Sequence, residues 1–262
     1  MIFFRVLNFL KYQVFSKHKN GHGIHSPFVF AIVSGIMRNK INPAVVLKIE
    51  KRRKELISDR RTIIVKDLGA GSKKMNTNLR KVSDIASNSA VTEKYGVLLT
   101  GMAEKFGKPY IVEFGTSLGI STMYLASGSA ETQVYTMEGC PATAKIAREN
   151  FKCERFNNIK QFIGPFDDLL PTIKELSGEP GLVYIDGNHR KEPVVDYFYQ
   201  MSEKSGNDTV IIIDDIHNSK EMEDAWNIIK HHEKVTTTID INRMGIVFFR
   251  AGLTHHDYYL RY

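Results

Sequence analysis

The sequence predicts an α/β protein with an open, doubly wound sheet, on three observations. Short apolar runs alternate with helical stretches from Tyr110 onward. The first run closes on a glycine turn at Gly115 to Gly119, and later runs end in acids at Asp186 and at Asp214-Asp215. Apolar runs without polar alternation belong to strands covered by helices on both faces. The pattern divides the chain into a helical N-terminal extension, residues 1–88, and a sheet domain, residues 89–262.

The extension opens on MIFFRVLNFLKYQVFSKHK, whose apolar residues fall on one helical face between Arg5 and Lys11. It is too interrupted for a membrane span and lacks the small-residue cleavage site of a secretory leader. It predicts a helix docked on the domain or in a homodimer interface, with a membrane-surface anchor as the lesser alternative. His22 and His25 stand in a loop before a helix over Phe28 to Met37. Lys48 to Arg61, KIEKRRKELISDRR, holds much of the excess behind the net charge of +7. Such a run is either a solvated helical face or a contact for RNA or anionic lipid. Asp67-Leu-Gly-Ala-Gly71 follows a β-branched run and imitates a nucleoside-binding turn, but a polar stretch and two helices come next where a second strand is needed. It reads as an ordered loop over the substrate mouth. Cys140 and Cys153 form no C-x-x-C pair, which fits a reducing cytoplasm and offers no zinc site.

The sheet domain follows in order. Tyr110 to Phe114 is a strand, and Thr116, Ser117 and Ser121 are candidate caps for a helix beginning near Leu118. Gly115 permits a turn of unusual dihedrals, and Gly119 lets the helix approach the strand. Gln133 to Met137 delivers Glu138, followed by Gly139, where a carboxylate accepts two hydrogen bonds from a ribose diol. Pro141 opens a helix. Asn158 to Ile163 is a third strand, followed by Gly164-Pro-Phe166-Asp167-Asp168. Leu182 to Ile185 is a fourth, ending in Asp186-Gly-Asn-His189, and Thr209 to Ile213 a fifth, ending in Asp214-Asp215-Ile216-His217. A helix over Lys220 to His232 and a hairpin of Val235 to Ile241 with Gly245 to Arg250 complete seven strands.

The turn decides between two nucleosides. A dinucleotide site wants G-x-G-x-x-G to hold a pyrophosphate, whereas this chain has Glu113-x-Gly115-x-x-x-Gly119, with an acid that would repel phosphate. The pattern resembles motif I of the class I S-adenosylmethionine-dependent methyltransferases, and Ile185-Asp-Gly-Asn-His189 resembles the I-D-G-x-H turn of their O-methyltransferase group. The resemblance runs from about Ser89 to Arg250. It implies a Rossmann-like sheet whose seventh strand is antiparallel, and S-adenosylmethionine held by Glu113, Gly115, Thr116, Ser117, Gly119, Glu138, Gly139, Phe166, Asp167 and Asp186. In the catechol-type enzymes a divalent cation such as Mg²⁺ is held by acids matching Asp186, Asp214 and Asp215. A hard cation on clustered carboxylates would acidify an acceptor hydroxyl; the bland alternative is that these aspartates cap helices without metal. Where those enzymes carry a lysine base, His189 stands here, with Asp186 beside it as the catalytic pair. His217 reads as a loop anchor before a Ser219 cap. The leading expectation is a cytoplasmic O-methyltransferase of a small hydroxylated acceptor, with an RNA methyltransferase and a non-catalytic nucleoside-binding scaffold as alternatives.

Overall fold

The computed structural model describes residues 8, 12–14, 16, 24–38, 41–66 and 78–262. Most of the expected N-terminal helix, His22, and the whole Asp67–Gly71 loop lie outside the described residues. After helices Pro27–Gly35 and Pro43–Ile57 come β1 (Thr62–Ile64) and β2 (Leu79–Lys81), an antiparallel pair, then helices Val82–Asn88 and Glu93–Phe106. The sheet proper comprises β3 (Tyr110–Phe114), β4 (Gln133–Glu138), β5 (Ile159–Ile163), β6 (Leu182–Ile185), β7 (Val210–Ile213), β8 (Thr237–Asp240), β9 (Gly245–Phe248) and β10 (His256–Tyr259). It is a mixed sheet of eight strands, so the expected seven gain one. β10 escapes sequence reading because His256-Asp-Tyr-Tyr is short and polar, an edge strand with its first two residues exposed.

The chain divides into two compact units, Lys40–Gly178 and Met1–Asn39 with Glu179–Tyr262. Neither boundary falls at residue 88. In Lys40–Gly178, β3, β4 and β5 run parallel, with Glu113 opposite Thr136 and Glu138 opposite Ile163. The helix after β3 starts at Ile120 rather than Leu118, because Gly119 adopts φ +84° as its cap. A Cβ on Gly119 would lie 2.4 Å from the Phe151 ring and 3.2 Å from Ala147. The close approach that glycine permits is therefore to the helix Pro141–Cys153, not to the strand. Tyr124, wholly buried, donates its hydroxyl to Glu50 at 2.9 Å and pins Pro43–Ile57 in place.

That helix carries most of the expected basic run, Lys48 to Arg61, and much of the run's charge is spent locally. Arg52 donates to Asn150 and Glu55, Arg53 pairs with Glu50, and Arg61 pairs with Asp59 and Glu149. A phosphate-binding surface needs cations left for the ligand, so this pairing weakens the RNA reading.

In the other unit, β6 and β7 are parallel, β9 is antiparallel to both β7 and β8, and β10 is parallel to β8. The antiparallel seventh strand is as expected. Gly245 sits opposite Ile213, so the turn before β9 reaches the carboxyl end of β7. Trp226, 1% exposed, fills the space beside Gly245, where a Cβ would lie 2.6 Å from its ring. Helices Lys191–Lys204 and Lys220–Lys230 bury Phe198, Met201, Trp226 and Ile229. No helix among the described residues is long and apolar enough to cross a membrane.

Candidate active site

Glu113, next to last in β3, is 0% exposed and accepts hydrogen bonds from Ser121 Oγ (2.6 Å), Thr122 Oγ1 (2.5 Å) and Thr136 Oγ1 (2.6 Å). Burial pushes its carboxyl above the ordinary range, and the three hydroxyls pull against that shift. Thr116 Oγ1 joins the same network through Thr136 at 2.6 Å. The expected caps are thereby corrected. Ser121 and Thr116 spend their hydroxyls on this network, and the helix start has no side-chain cap. A carboxylate offers more acceptor sites than one helix end can use, and here it ties the helix to both β3 and β4.

The turn itself is folded by residues at positive φ: Gly115 at +101°, Ser117 at +47° and Gly119 at +84°. The N–H groups of Gly115 and Thr116 donate to the Met137 carbonyl, which leaves the Ser117 N–H pointing at Glu138, 2.7 Å from Oε2. Glu138 Oε1 accepts from the Cys140 N–H at 2.8 Å. One N–H on each oxygen sets the carboxylate in a single orientation, half-buried beside Gly139. The Gly164 N–H donates to the Glu138 carbonyl, tying in the turn after β5. There Phe166 meets Phe114 edge-on at 5.6 Å and Asp167 lies exposed in the first helical turn, with no cap bond at Pro165. The structure thus gathers Glu113, Gly115, Thr116, Ser117, Gly119, Glu138, Gly139, Phe166 and Asp167 within one unit.

Asp186, His189, Asp214 and Asp215 gather in the other. Asp214 follows Ile213 directly, and its N–H donates to the Ile185 carbonyl, so the acids ending β6 and β7 are neighbours. Asp186 accepts from Tyr184 Oη at 3.2 Å and lies 3.4 Å from His189 Nε2. Burial, with the Asp214 charge adding to it, lifts the Asp186 carboxyl to about 7, while His189 pulls the other way. Burial works against charge on His189, but its hydrogen bond to Asp186 and the surrounding aspartates outweigh that and raise it to about 9. The loop is held in shape by Asn188 at φ +55°, which donates to Tyr197 and accepts from Arg190. His217 places Nε2 2.8 Å from Asp240, and Ser219 caps the next helix as expected.

Two features escaped the sequence reading. The hydroxyls around Glu113 had one local signal, polar Ser121-Thr122 inside an otherwise apolar helix. The other, Arg243, had none. Its guanidinium places Nε 3.0 Å and Nη2 2.8 Å from the two oxygens of Asp214, which is 1% exposed. Among the described residues no group of three His, Cys, Asp or Glu side chains is arranged to hold a metal ion. A divalent cation needs open carboxylate oxygens. The Asp186, Asp214 and Asp215 set, with Asp214 gripped by an arginine, does not fit one.

Residues 112–216 match the family described as a methyltransferase domain. A catechol O-methyltransferase of Mycobacterium tuberculosis is 32% identical over 130 residues, 48% of this chain and 57% of that protein. The O-methyltransferase imqG of Aspergillus flavus is 30% identical over 116 residues, 42% of this chain and 46% of that one. The chain thus spans about half the length of the curated relatives it matches. The solved O-methyltransferase from Bacillus cereus, in complex with SAH, superposes with a TM-score of 0.56 at 20% identity, over 84% of this chain and 97% of that one. At that identity the likeness is one of fold. Residues 112–216 thus match a methyltransferase domain, and the chain shares the α/β fold of a solved O-methyltransferase.

Proposed function

We propose that the protein transfers a methyl group from S-adenosylmethionine to the hydroxyl of a small acceptor. The observation that carries this reading is Glu138, set by two backbone N–H groups at the end of β4 beside the positive-φ turn of Gly115 to Gly119. A carboxylate at the end of the second parallel strand is the kind of acceptor that a ribose diol takes. Phe166 offers half-buried apolar surface for a base, and Asp167 stands beside it. The names of the relatives support the reaction class.

When bound, S-adenosylmethionine supplies a methyl group on a cationic sulfur: the acceptor oxygen's electron pair forms the new C–O bond, the C–S pair withdraws to sulfur, and the hydroxyl proton is released. The residues proposed to take that proton are Asp186 and His189, acting as one titrating pair. With His189 raised to about 9, its ring already carries a proton at neutral pH. Asp186, lifted to about 7, is partly ionised there, and its ionised fraction is the member able to take the proton. His189 then serves as a cationic donor that orients the acceptor oxygen.

Isothermal calorimetry with S-adenosylhomocysteine tests the reading, with binding expected in the micromolar range typical of enzyme ligands, about 1–100 μM. No heat at high micromolar concentration would sink it. Incubation with methyl-tritiated cofactor and a panel of catechols and phenols then separates an enzyme from a nucleoside-binding scaffold. A mobility shift with RNA that weakens steeply as salt rises would favour the RNA acceptor instead.

The pair's titration is a further expected outcome. In ¹³C NMR of histidine-labelled protein, the ring of residue 189, assigned with His189→Gln, should titrate near 9 rather than the ordinary 6.5. Its contribution to stability has the matching sign: fully present below 6.5, lost as the pH rises through 9. A midpoint at or below 6.5 would remove the ion pair from the site.

A further inference from the structure

We infer that Arg243 occupies the electrostatic role that a divalent cation plays in the catechol-type enzymes, making this site independent of metal. The acids that would ligate the metal are present, yet the positive charge beside them belongs to the protein. Arg243 grips Asp214 through two nitrogens, Nε at 3.0 Å and Nη2 at 2.8 Å on different oxygens, and Nε lies 3.9 Å from Asp215 Oδ1. A planar fork on a carboxylate uses the oxygen edge a metal would need.

The guanidinium is not a side chain swung in from a mobile surface. Its residue is the pivot of the β8–β9 turn, where the Arg243 N–H donates to Ile241 and its carbonyl accepts from the Ile216 N–H at 3.1 Å. Asn242 beside it is held at φ +69° by a bond from its N–H to Asp240 Oδ1. The turn and the Asp214–Ile216 loop are therefore bound to each other by main chain as well as side chain. To admit a dication at Asp214 the arginine would have to leave a nearly inaccessible carboxylate, and a dication beside it would meet a fixed like charge. Arg243 thus acts as a positioning residue: it sets the orientation of Asp214 and neutralises part of the acidic cluster.

What this charge serves rests on the methyl-transfer reading, but the test does not. Free Mn²⁺ would be counted by electron paramagnetic resonance against the full chain, with circular dichroism to verify folding. The wild type is expected to show no saturable site up to about 1 mM, the weak end of biological cation sites. Arg243→Ala uncovers the carboxylates and should bind Mn²⁺ at least about tenfold more tightly. Arg243→Lys keeps a cation and should refuse the ion as the wild type does; where Arg243→Ala does not fold, the wild type and this variant carry the test. Saturable binding by the wild type that Asp214→Asn abolishes would overturn the inference. So would a folded Arg243→Ala protein as blind to Mn²⁺ as the wild type. Calorimetry with S-adenosylhomocysteine on the same samples reads the methyltransferase proposal separately.

Discussion

Replacing Glu138 by alanine is expected to weaken S-adenosylhomocysteine binding by about 100- to 1,000-fold while leaving the protein folded, the scale set by losing two charge-assisted hydrogen bonds. Two effects add. The variant removes the acceptor proposed for the ribose hydroxyls, and it releases the N–H groups of Ser117 and Cys140 that the carboxylate holds at 2.7 and 2.8 Å. Ser117 sits at φ +47°, a conformation a non-glycine residue keeps only while its surroundings hold it, so the turn loosens with the loss. Because Glu138 is half-buried at a rim rather than in the core, water can satisfy the freed donors and global stability should change little. Glu138→Gln retains the shape and one acceptor, and should lose only about tenfold. Calorimetry of the three proteins decides it; an alanine variant within threefold of the wild type would remove Glu138 from the cofactor site.

Glu113→Ala should instead act on folding, lowering the free energy of unfolding by about 3–5 kcal/mol. The carboxyl is 0% exposed, and its removal leaves a void lined by the hydroxyls of Ser121, Thr122 and Thr136, which no water reaches through the surface. Glu113→Gln should lose only about 1–2 kcal/mol, since hydroxyls can rotate to accept from the amide. The pH dependence follows from the sign of the shift. Burial raises the Glu113 pKa, so the folded state binds its proton more tightly than the unfolded chain does, and this group's contribution to stability falls as pH rises. Glutamine abolishes that slope. Urea unfolding of wild type and both variants at several pH values provides the measurement. A loss below about 1 kcal/mol for alanine, the size of one ordinary hydrogen bond, would contradict the network's role.

The glycine turn and the acid that ends β4 were largely legible because their signals are local. A turn at positive φ demands glycine at Gly115 and Gly119, and an acid at the end of the next parallel strand is fixed in place by strand length alone. Glu113 was legible as a position but not as a network, since Thr136 reaches it across the sheet and Ser121 from the next helix. Reading Thr116 and Ser121 as caps followed a sound local preference that a stronger acceptor overrode. The acids ending β6 and β7 were legible one by one, but their proton balance was not, because a pKa depends on burial and neighbouring charge rather than on residue type.

By itself the sequence determined the order of the seven strands β3 to β9 and the helices between them, the glycine bend and the identity of the acids, since hydrophobic period and backbone permission are properties of neighbouring residues. Tertiary structure alone decided what neutralises those acids. Arg243 lies in a turn with no motif of its own, and only the insertion of an antiparallel strand between two others carries it to Asp214. Charge acts through space, so where the chain returns matters more than what stands beside a residue along it.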